Sequence, residues 1–384
     1  MDFAKESLEL HRKLKGKIEI KPKAKVDTAL ALALAYTPGV AAPCGVIAKD
    51  PKESFNLTAR GNLVAVVTDG SAVLGLGNIG PAAGMPVMEG KCVLFKAFAN
   101  VDAIPLCLNT QKVDEIVQIV KALEPSFGGI NLEDIGSPRC FEVENRLKKE
   151  LSIPVMHDDQ HGTAIVVAAA LTNAIKVAQK QKGQLKIVIN GAGAAGIAIG
   201  RLLLMMQFGN VVMVDRIGIL NKNNKSLPLH HLDIAKISNK NNETGDLKAA
   251  LKNADVFIGV SAGNIVSLEM AKSMNKNAVV FAMANPTPEI LPEIAKKAGI
   301  KVMGTGRSDF PNQINNALVF PGMFRGTFDA KAKQITDKMK IAAVNAIASL
   351  IKPSELKPNY VIPSVLDKRV VPAIAKAVAR ASKL

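Results

Sequence analysis

The chain has 384 residues, 48% hydrophobic and 21% charged, a balance that excludes a disordered, collagen-like or small disulfide-scaffold protein. At roughly 150 residues per domain, that length predicts two or three domains. Lys and Arg exceed Asp and Glu by 49 to 33, giving +16, yet aromatic residues are only 4% and the basic residues are spread along the chain. Nucleic acid is therefore not an expected partner, and the charge reads as a solvated surface that also attracts small anions.

In chain order, charged residues from Lys5 to Lys13 argue against a signal peptide. Apolar runs at Leu63–Thr68, Cys92–Phe95, Ala103–Leu108, Gly129–Leu132 and Pro154–Met156 predict strands, with helices at Val113–Leu123 and Pro138–Glu150. A long apolar helix is predicted over Thr163–Ala178, then strands at Leu185–Ile189, Val211–Val214, Val256–Val260, Ala278–Ala282 and Val302–Gly304. Asn221–Asp246 reads as a polar loop, and the chain from Lys331 onward as basic helices broken by prolines. This alternation predicts an α/β protein, divided near Gly162 into 1–162 and 163–384. No run nears the ~18–20 apolar residues of a membrane span. The four cysteines lack metal-ligand spacing and read as reduced thiols, so a cytoplasmic protein is expected. The terminal Ser382-Lys383-Leu384 spells a peroxisomal address readable only in a eukaryotic host, and the cytoplasm is retained.

The strongest local motif is Asn190-Gly191-Ala192-Gly193-Ala194-Ala195-Gly196, between the β-branched run Ile187–Ile189 and an apolar helix over Ile197–Phe208. Gly191 permits a tight turn, Gly193 lets the backbone approach a pyrophosphate, and Gly196 lets helix pack on strand. The helix start at Ala194 and Ala195 offers unpaired N–H groups to phosphate. Asp215 ends the next strand at the spacing of a ribose-binding carboxylate, and Arg216 beside it is placed to meet a 2′-phosphate. Use of both NAD and NADP is expected.

Two acidic pairs follow strands: Glu133 and Asp134 after Gly129–Leu132, Asp158 and Asp159 after Pro154–Met156. Adjacent carboxylates diverge on a regular strand but converge where it ends in an irregular turn. Oxygens from Glu133, Asp134 and one of the later pair suit Mg²⁺ or Mn²⁺; solvated loop acids are the plainer alternative. His157 and His161 have no partner set for zinc and are expected to support or line the site. Lys91, beside the expected strand Cys92–Phe95, is a candidate base with a depressed pKa. Tyr36, in a turn after an Ala/Leu run, is a candidate acid. Taken alone, an ordinary surface lysine and a packed tyrosine are the plainer alternatives.

Together these segments resemble the short bacterial-type malic enzymes. The resemblance is carried by AYTPGVA (Ala35–Ala41), VTDGSAVLGLGNIGP (Val67–Pro81), GKCVLFKAF (Gly90–Phe98), FGGINLEDIGSPRCFEVE (Phe127–Glu144) and PVMHDDQHGTAI (Pro154–Ile165). It continues through NGAGAAGIAI (Asn190–Ile199), FAMANPTPEI (Phe281–Ile290) and SDFPNQINNALVFPGMFRG (Ser308–Gly326). It implies an N-terminal catalytic domain and a Rossmann-type domain, Lys91 as general base and Tyr36 as general acid. By the same match Glu133, Asp134 and Asp159 are metal ligands, Asp158 holds the lysine, and Asn285 and Asn315, with the neighbouring Asn316, meet the substrate. The implied activity is oxidative decarboxylation of L-malate to pyruvate, in a homodimer that needs no nucleic acid or membrane. Ala72 stands where the long animal-type enzymes carry a carboxylate-binding arginine. Some relatives carry a C-terminal acetyltransferase-like extension, which is not expected here. The rival readings are a non-decarboxylating 2-hydroxy acid dehydrogenase, in which the acids would be idle, and an inactive nucleotide-sensing protein, which would have lost Tyr36, Lys91 or the acids.

Overall fold

The computed structural model of the chain describes residues 3–383, so the terminal Leu384 of the address-like tripeptide lies outside the described residues. Among these, ten strands form two sheets. The first has β1 (Leu63–Thr68), β2 (Asp102–Cys107), β3 (Gly129–Leu132) and β4 (Val155–His157), all parallel in the order β2-β1-β3-β4. The second has β5 (Leu185–Asn190), β6 (Gly209–Asp215), β7 (Gly218–Ile219), β8 (Val256–Gly259), β9 (Val279–Ala282) and β10 (Val302–Thr305). Its order is β10-β9-β8-β5-β6-β7, with only β7 antiparallel. Runs such as Val64–Val67 are wholly buried, as expected of parallel strands covered on both faces.

Seven helices position the functional side chains: α1 (Pro81–Ala99), α2 (Arg139–Glu150), α3 (Asp158–Val177), α4 (Ala194–Met205), α5 (Phe320–Asp329), α6 (Asp337–Ser349) and α7 (Val370–Ala381). Three expectations are corrected here. Cys92–Phe95 is no strand but the fourth turn of α1, whose buried stripe Gly84, Met88, Cys92, Phe95 and Ala99 has helical spacing. The helix expected from Thr163 starts at Asp158, so Gly162 lies inside α3 rather than before it. The polar stretch Asn221–Asp246 is not all loop, because Leu229–Ile237 forms a helix within it.

The C-terminal helices reach back to the first sheet's side. Phe320 and Phe324 of α5 meet Phe95 of α1 edge-on, with ring centroids at 4.7 and 5.4 Å, and Arg325 Nη1 donates to Asn62 Oδ1 at 2.7 Å. The N-terminal segment differs from all the rest. Its helices Phe3–Leu14, Ala29–Ala35 and Ala41–Lys49 bury no residue, and Phe3, Ile20 and Leu30 are 71%, 92% and 70% exposed. It touches the body chiefly where Lys17 N donates to Glu89 Oε2 and Lys17 Nζ to the Pro86 carbonyl. Among the described residues no helix is long and apolar enough to cross a membrane.

Candidate active site

In-register pairing of β3 with β4 explains why the acids converge. Leu132 lies opposite His157, so Glu133 and Asp158 are the next residues out from two adjacent parallel strands. Glu133 keeps to the ladder, its N–H donating to the Val67 carbonyl at 2.8 Å. At Asp134 the backbone turns left-handed (φ 52°), a region that Asp enters more readily than most residues. The turn sets Asp134 N against Asp159 Oδ2 at 2.8 Å. Oxygens of Glu133, Asp134 and Asp159 thereby lie within 4.8 Å of one another, with Glu133 and Asp134 buried. Burial pushes the Glu133 carboxyl well above its usual range; Lys91 opposes this, but Asp159, Asp158 and Asp134 add to it. An all-oxygen cluster short of positive charge fits a hard divalent cation.

Lys91 projects from the middle of α1 into this cluster. Its Nζ lies 2.5 Å from Asp158 Oδ2, 3.0 Å from Glu133 Oε1 and 3.3 Å from Asn316 Oδ1, with the Phe320 ring centroid 4.6 Å away. The depressed pKa expected of it is not found. Burial pushes the ammonium down, but Asp158, Glu133 and Asp159 outweigh this, and the net direction is up. Gly162 explains why a glycine interrupts α3 here. A Cβ at this position would lie 1.9 Å from Asp158 Oδ1, so the carboxylate occupies the space a side chain would take.

The glycine loop joins β5 to α4 at the point where the second sheet's order reverses, with β6 on one side of β5 and β8 on the other. Gly191 has φ 108°, which an L side chain resists, and a Cβ on Gly196 would lie 1.8 Å from the Gly191 carbonyl oxygen. A Cβ on Gly193 would meet nothing within 4 Å, leaving this face open to a pyrophosphate. α4 opens at Ala194 and Ala195 with no side-chain cap, so its first N–H groups are available. Asp215 braces the loop: its Oδ2 accepts from Ala192 N at 2.8 Å and its Oδ1 from Arg216 N at 2.7 Å. Arg216 is exposed beside it.

Other expected residues fall at varying distances from this centre. Asn315 Oδ1 accepts from Ala317 N, fixing the turn that delivers Asn316 to Lys91. Asn285 is exposed on the loop after β9; a Cβ on Gly75 would meet its carbonyl at 2.3 Å, so the LGLG segment packs against it. Ala72 N donates to the Asp134 carbonyl at 3.0 Å, so this segment reaches the acids but brings no cation. Tyr36 is not brought in: it is 67% exposed, on the segment that buries nothing. His157 is fully buried beside the acids, with Nδ1 3.6 Å from Asp159 Oδ2.

Among the buried acids that escaped the sequence reading are Glu144 and Glu289. Glu144 Oε1 accepts from His157 N at 3.0 Å, tying α2 to the turn that carries Asp158 and Asp159, and Glu144 also meets His161 (2.9 Å) and Lys148 (2.6 Å). Its signal was an acid on the buried stripe Cys140, Val143, Glu144, Leu147. Glu289, fully buried, accepts from Ser261 N and Ala284 N, both at 3.0 Å, and so clamps the loops after β8 and β9.

Models of the malic enzyme N-terminal domain and of the malic enzyme NAD binding domain match residues 15–148 and 160–383. The chain belongs to the malic enzyme family. A bifunctional malic/malolactic enzyme of Bacillus subtilis is 55% identical, over 100% of this chain and 93% of its own. An NAD-dependent malic enzyme of Geobacillus stearothermophilus is 53% identical over 96% of this chain and 77% of its own, and an NADP-dependent malic enzyme of Rhizobium meliloti 46% over 99% and 52%. The crystal structure of the NAD-dependent malic enzyme of Thermotoga maritima superposes with a TM-score of 0.94 at 51% identity, covering 97% of this chain and 98% of that one. The two family models part between residues 148 and 160, at the end of α2 and the turn into α3.

Proposed function

We propose that the cluster around Lys91 is where this malic enzyme oxidises and decarboxylates L-malate to pyruvate and CO₂, with residues 1–162 supplying the catalytic half and 163–384 the nucleotide half. The activity itself follows from the family, as does the nicotinamide cofactor. The observation that carries the assignment is a lysine, its side chain only 11% exposed, within 3.0 Å of two carboxylates, one of which belongs to the three-carboxylate cluster.

Glu133, Asp134 and Asp159 would hold Mg²⁺ or Mn²⁺. When bound, the cation supplies Lewis acidity at the substrate's C2 oxygen and positive charge that offsets the acids around Lys91. Lys91 takes the C2 hydroxyl proton, and a nicotinamide held by the nucleotide half would supply the hydride acceptor for C2. Asp158 and Asn316 fix the Nζ in place, and the Phe320 ring keeps water from one side of it. After CO₂ departs, Tyr36 protonates C3 of enolpyruvate. Asn285 and Asn315 orient the substrate. Gly191, Gly193, Ala194, Ala195 and Gly196 cradle the pyrophosphate, while Asp215 accepts from a 2′-hydroxyl and Arg216 pairs with a 2′-phosphate, allowing NAD and NADP. Four free cysteines support a cytoplasmic location.

Tyr36 reaches the reaction through pairing of two chains. The unburied N-terminal segment, with Phe3, Ile20 and Leu30 in water, is the surface of a homodimer, and that pairing carries Tyr36 into the partner's cleft. Mixing the inactive variants Lys91→Ala and Tyr36→Phe tests this. If the two residues meet across chains, half the dimers are mixed and each holds one intact site, so about a quarter of wild-type activity returns. No recovery refutes the exchange. Chelator-stripped protein should make no pyruvate and regain activity with Mn²⁺; full turnover without metal refutes the ligand assignment.

A further inference from the structure

Behind the catalytic turn lies a second cavity that the reaction does not use. Its volume is about 1170 Å³, and it is bounded by α2, the first turns of α3, the outer face of α4, the helix Leu229–Ile237 and the start of α6. Neither Lys91, Glu133 and Asp159 nor Gly193 and Asp215 line it. Gln160 and His161 do, because successive residues on α3 turn by about 100° and carry these two away from the acids before them.

One end of the cavity is polar. Gln160 is only 5% exposed, and its Nε2 has no hydrogen-bond partner among the described residues. Lys340 is 8% exposed and gives one bond to Asp337 at 3.0 Å. Lys148 meets Glu144 at 2.6 Å and His161 at 3.3 Å. An ammonium has three N–H donors, so both lysines have donors left to give. Of the four acids that line the cavity, Glu144 and Asp337 are matched by those lysines, Glu142 faces Arg146 at 3.8 Å and Asp233 faces Lys236 at 3.2 Å, while the exposed Arg201 adds a positive charge. The same lining includes the apolar side chains Phe141, Ile197, Leu202, Met205 and Leu229.

We propose that this cavity binds a small organic oxyanion. Gln160, Lys148 and Lys340 hold its carboxylate or phosphate head, and its apolar body lies along Ile197, Leu202 and Met205. A buried amide donor without an acceptor and two lysines with spare donors call for an anion, not a cation. The apolar side chains call for more than an inorganic ion. The site joins α2, from the half that carries the first sheet, to α4 and α6 of the other.

Calorimetric titration of the full chain, saturated with NAD so that the cofactor cleft is filled, tests this with hexyl phosphate, hexanoate and inorganic phosphate as probes. The expected result is saturable binding of a hexyl probe, one per chain, at least tenfold tighter than inorganic phosphate; the tighter probe identifies the head group. Lys340→Met and Met205→Glu should each weaken it tenfold or more, and Met205 is 46% exposed, so folding is not at stake there. Four results overturn the proposal: no saturable binding of either hexyl probe, an affinity unchanged in both variants, loss of binding when NAD is present, or inorganic phosphate binding as tightly.

Discussion

Replacing Gly162 with alanine puts a methyl group where the Asp158 carboxylate sits. The new Cβ would lie 1.9 Å from Asp158 Oδ1, 2.9 Å from its Cγ and 3.2 Å from Asn316 Cβ. Non-bonded heavy atoms settle at ~3.5–4 Å, so the carboxylate must move by about 1.5–2 Å. Its other oxygen holds Lys91 Nζ at 2.5 Å, and a shift of that size breaks the bond. A misplacement of ~1 Å near reacting groups costs ~10²-fold in rate, so kcat for pyruvate formation should fall by about that factor. Stability should change little: alanine gains ~1 kcal/mol over glycine in a helix interior, and overpacking costs ~1–3 kcal/mol. Steady-state turnover at saturating malate and Mn²⁺, paired with denaturant unfolding, reads both quantities. A variant with wild-type kcat would show that the Lys91–Asp158 contact is not needed for turnover.

Arg216→Ala should weaken NADP use far more than NAD use, read as the ratio of kcat/KM for the two cofactors; an equal fall would mean that Arg216 does not face the 2′-phosphate. Tyr36→Phe should slow hydrogen exchange at C3 of pyruvate, followed by NMR in deuterated water, and exchange at the wild-type rate would remove Tyr36 from that step. Asp255 anchors β8 beside β5; burial raises its pKa, but bonds from Lys180 (2.7 Å), Lys186 N (2.9 Å) and Asn275 (2.9 Å) outweigh this and the net direction is down. A carboxyl depressed by folding stabilises fully above its unfolded pKa of ~3.9 and loses that contribution as pH falls through the folded value. Asp255→Asn should therefore cost about 1 kcal/mol at pH 7, a figure kept small because the site is partly solvated, and the deficit should shrink below about pH 4. A deficit independent of pH would mean that the carboxylate's charge is not what stabilises.

The parallel strands were legible because Val- and Ile-rich runs bounded by polar turns have few other uses, and the glycine loop because each glycine answers a separate steric demand. Cys92–Phe95 misled because four apolar residues fit a buried strand and one face of a helix equally well; only Gly84 and Met88 upstream reveal the longer period. Glu144 and Glu289 stayed hidden for another reason. Their role lies in backbone N–H groups of other segments, at His157, Ser261 and Ala284, which the fold alone brings within reach. The Lys91 expectation failed with its strand. A lysine judged by its sequence neighbours looks desolvated and alone, while three carboxylates from two other segments surround it.

The first turn of α3 has a mechanical consequence. Its 20 residues make a rod about 30 Å long, with Asp158 and Asp159 at one end and a body packed against α4 and α6. Glu133 and Asp134 follow β3, the neighbour of the strand β4 that leads into this helix, so a cation held by these acids would pin the start of the rod to the first sheet. A tilt of the rod with the nucleotide half would have to strain that strand pair before it separated Asp159 from Glu133. The ligand set is therefore held by the first sheet, while the length of the rod fixes where the nucleotide half stands relative to it.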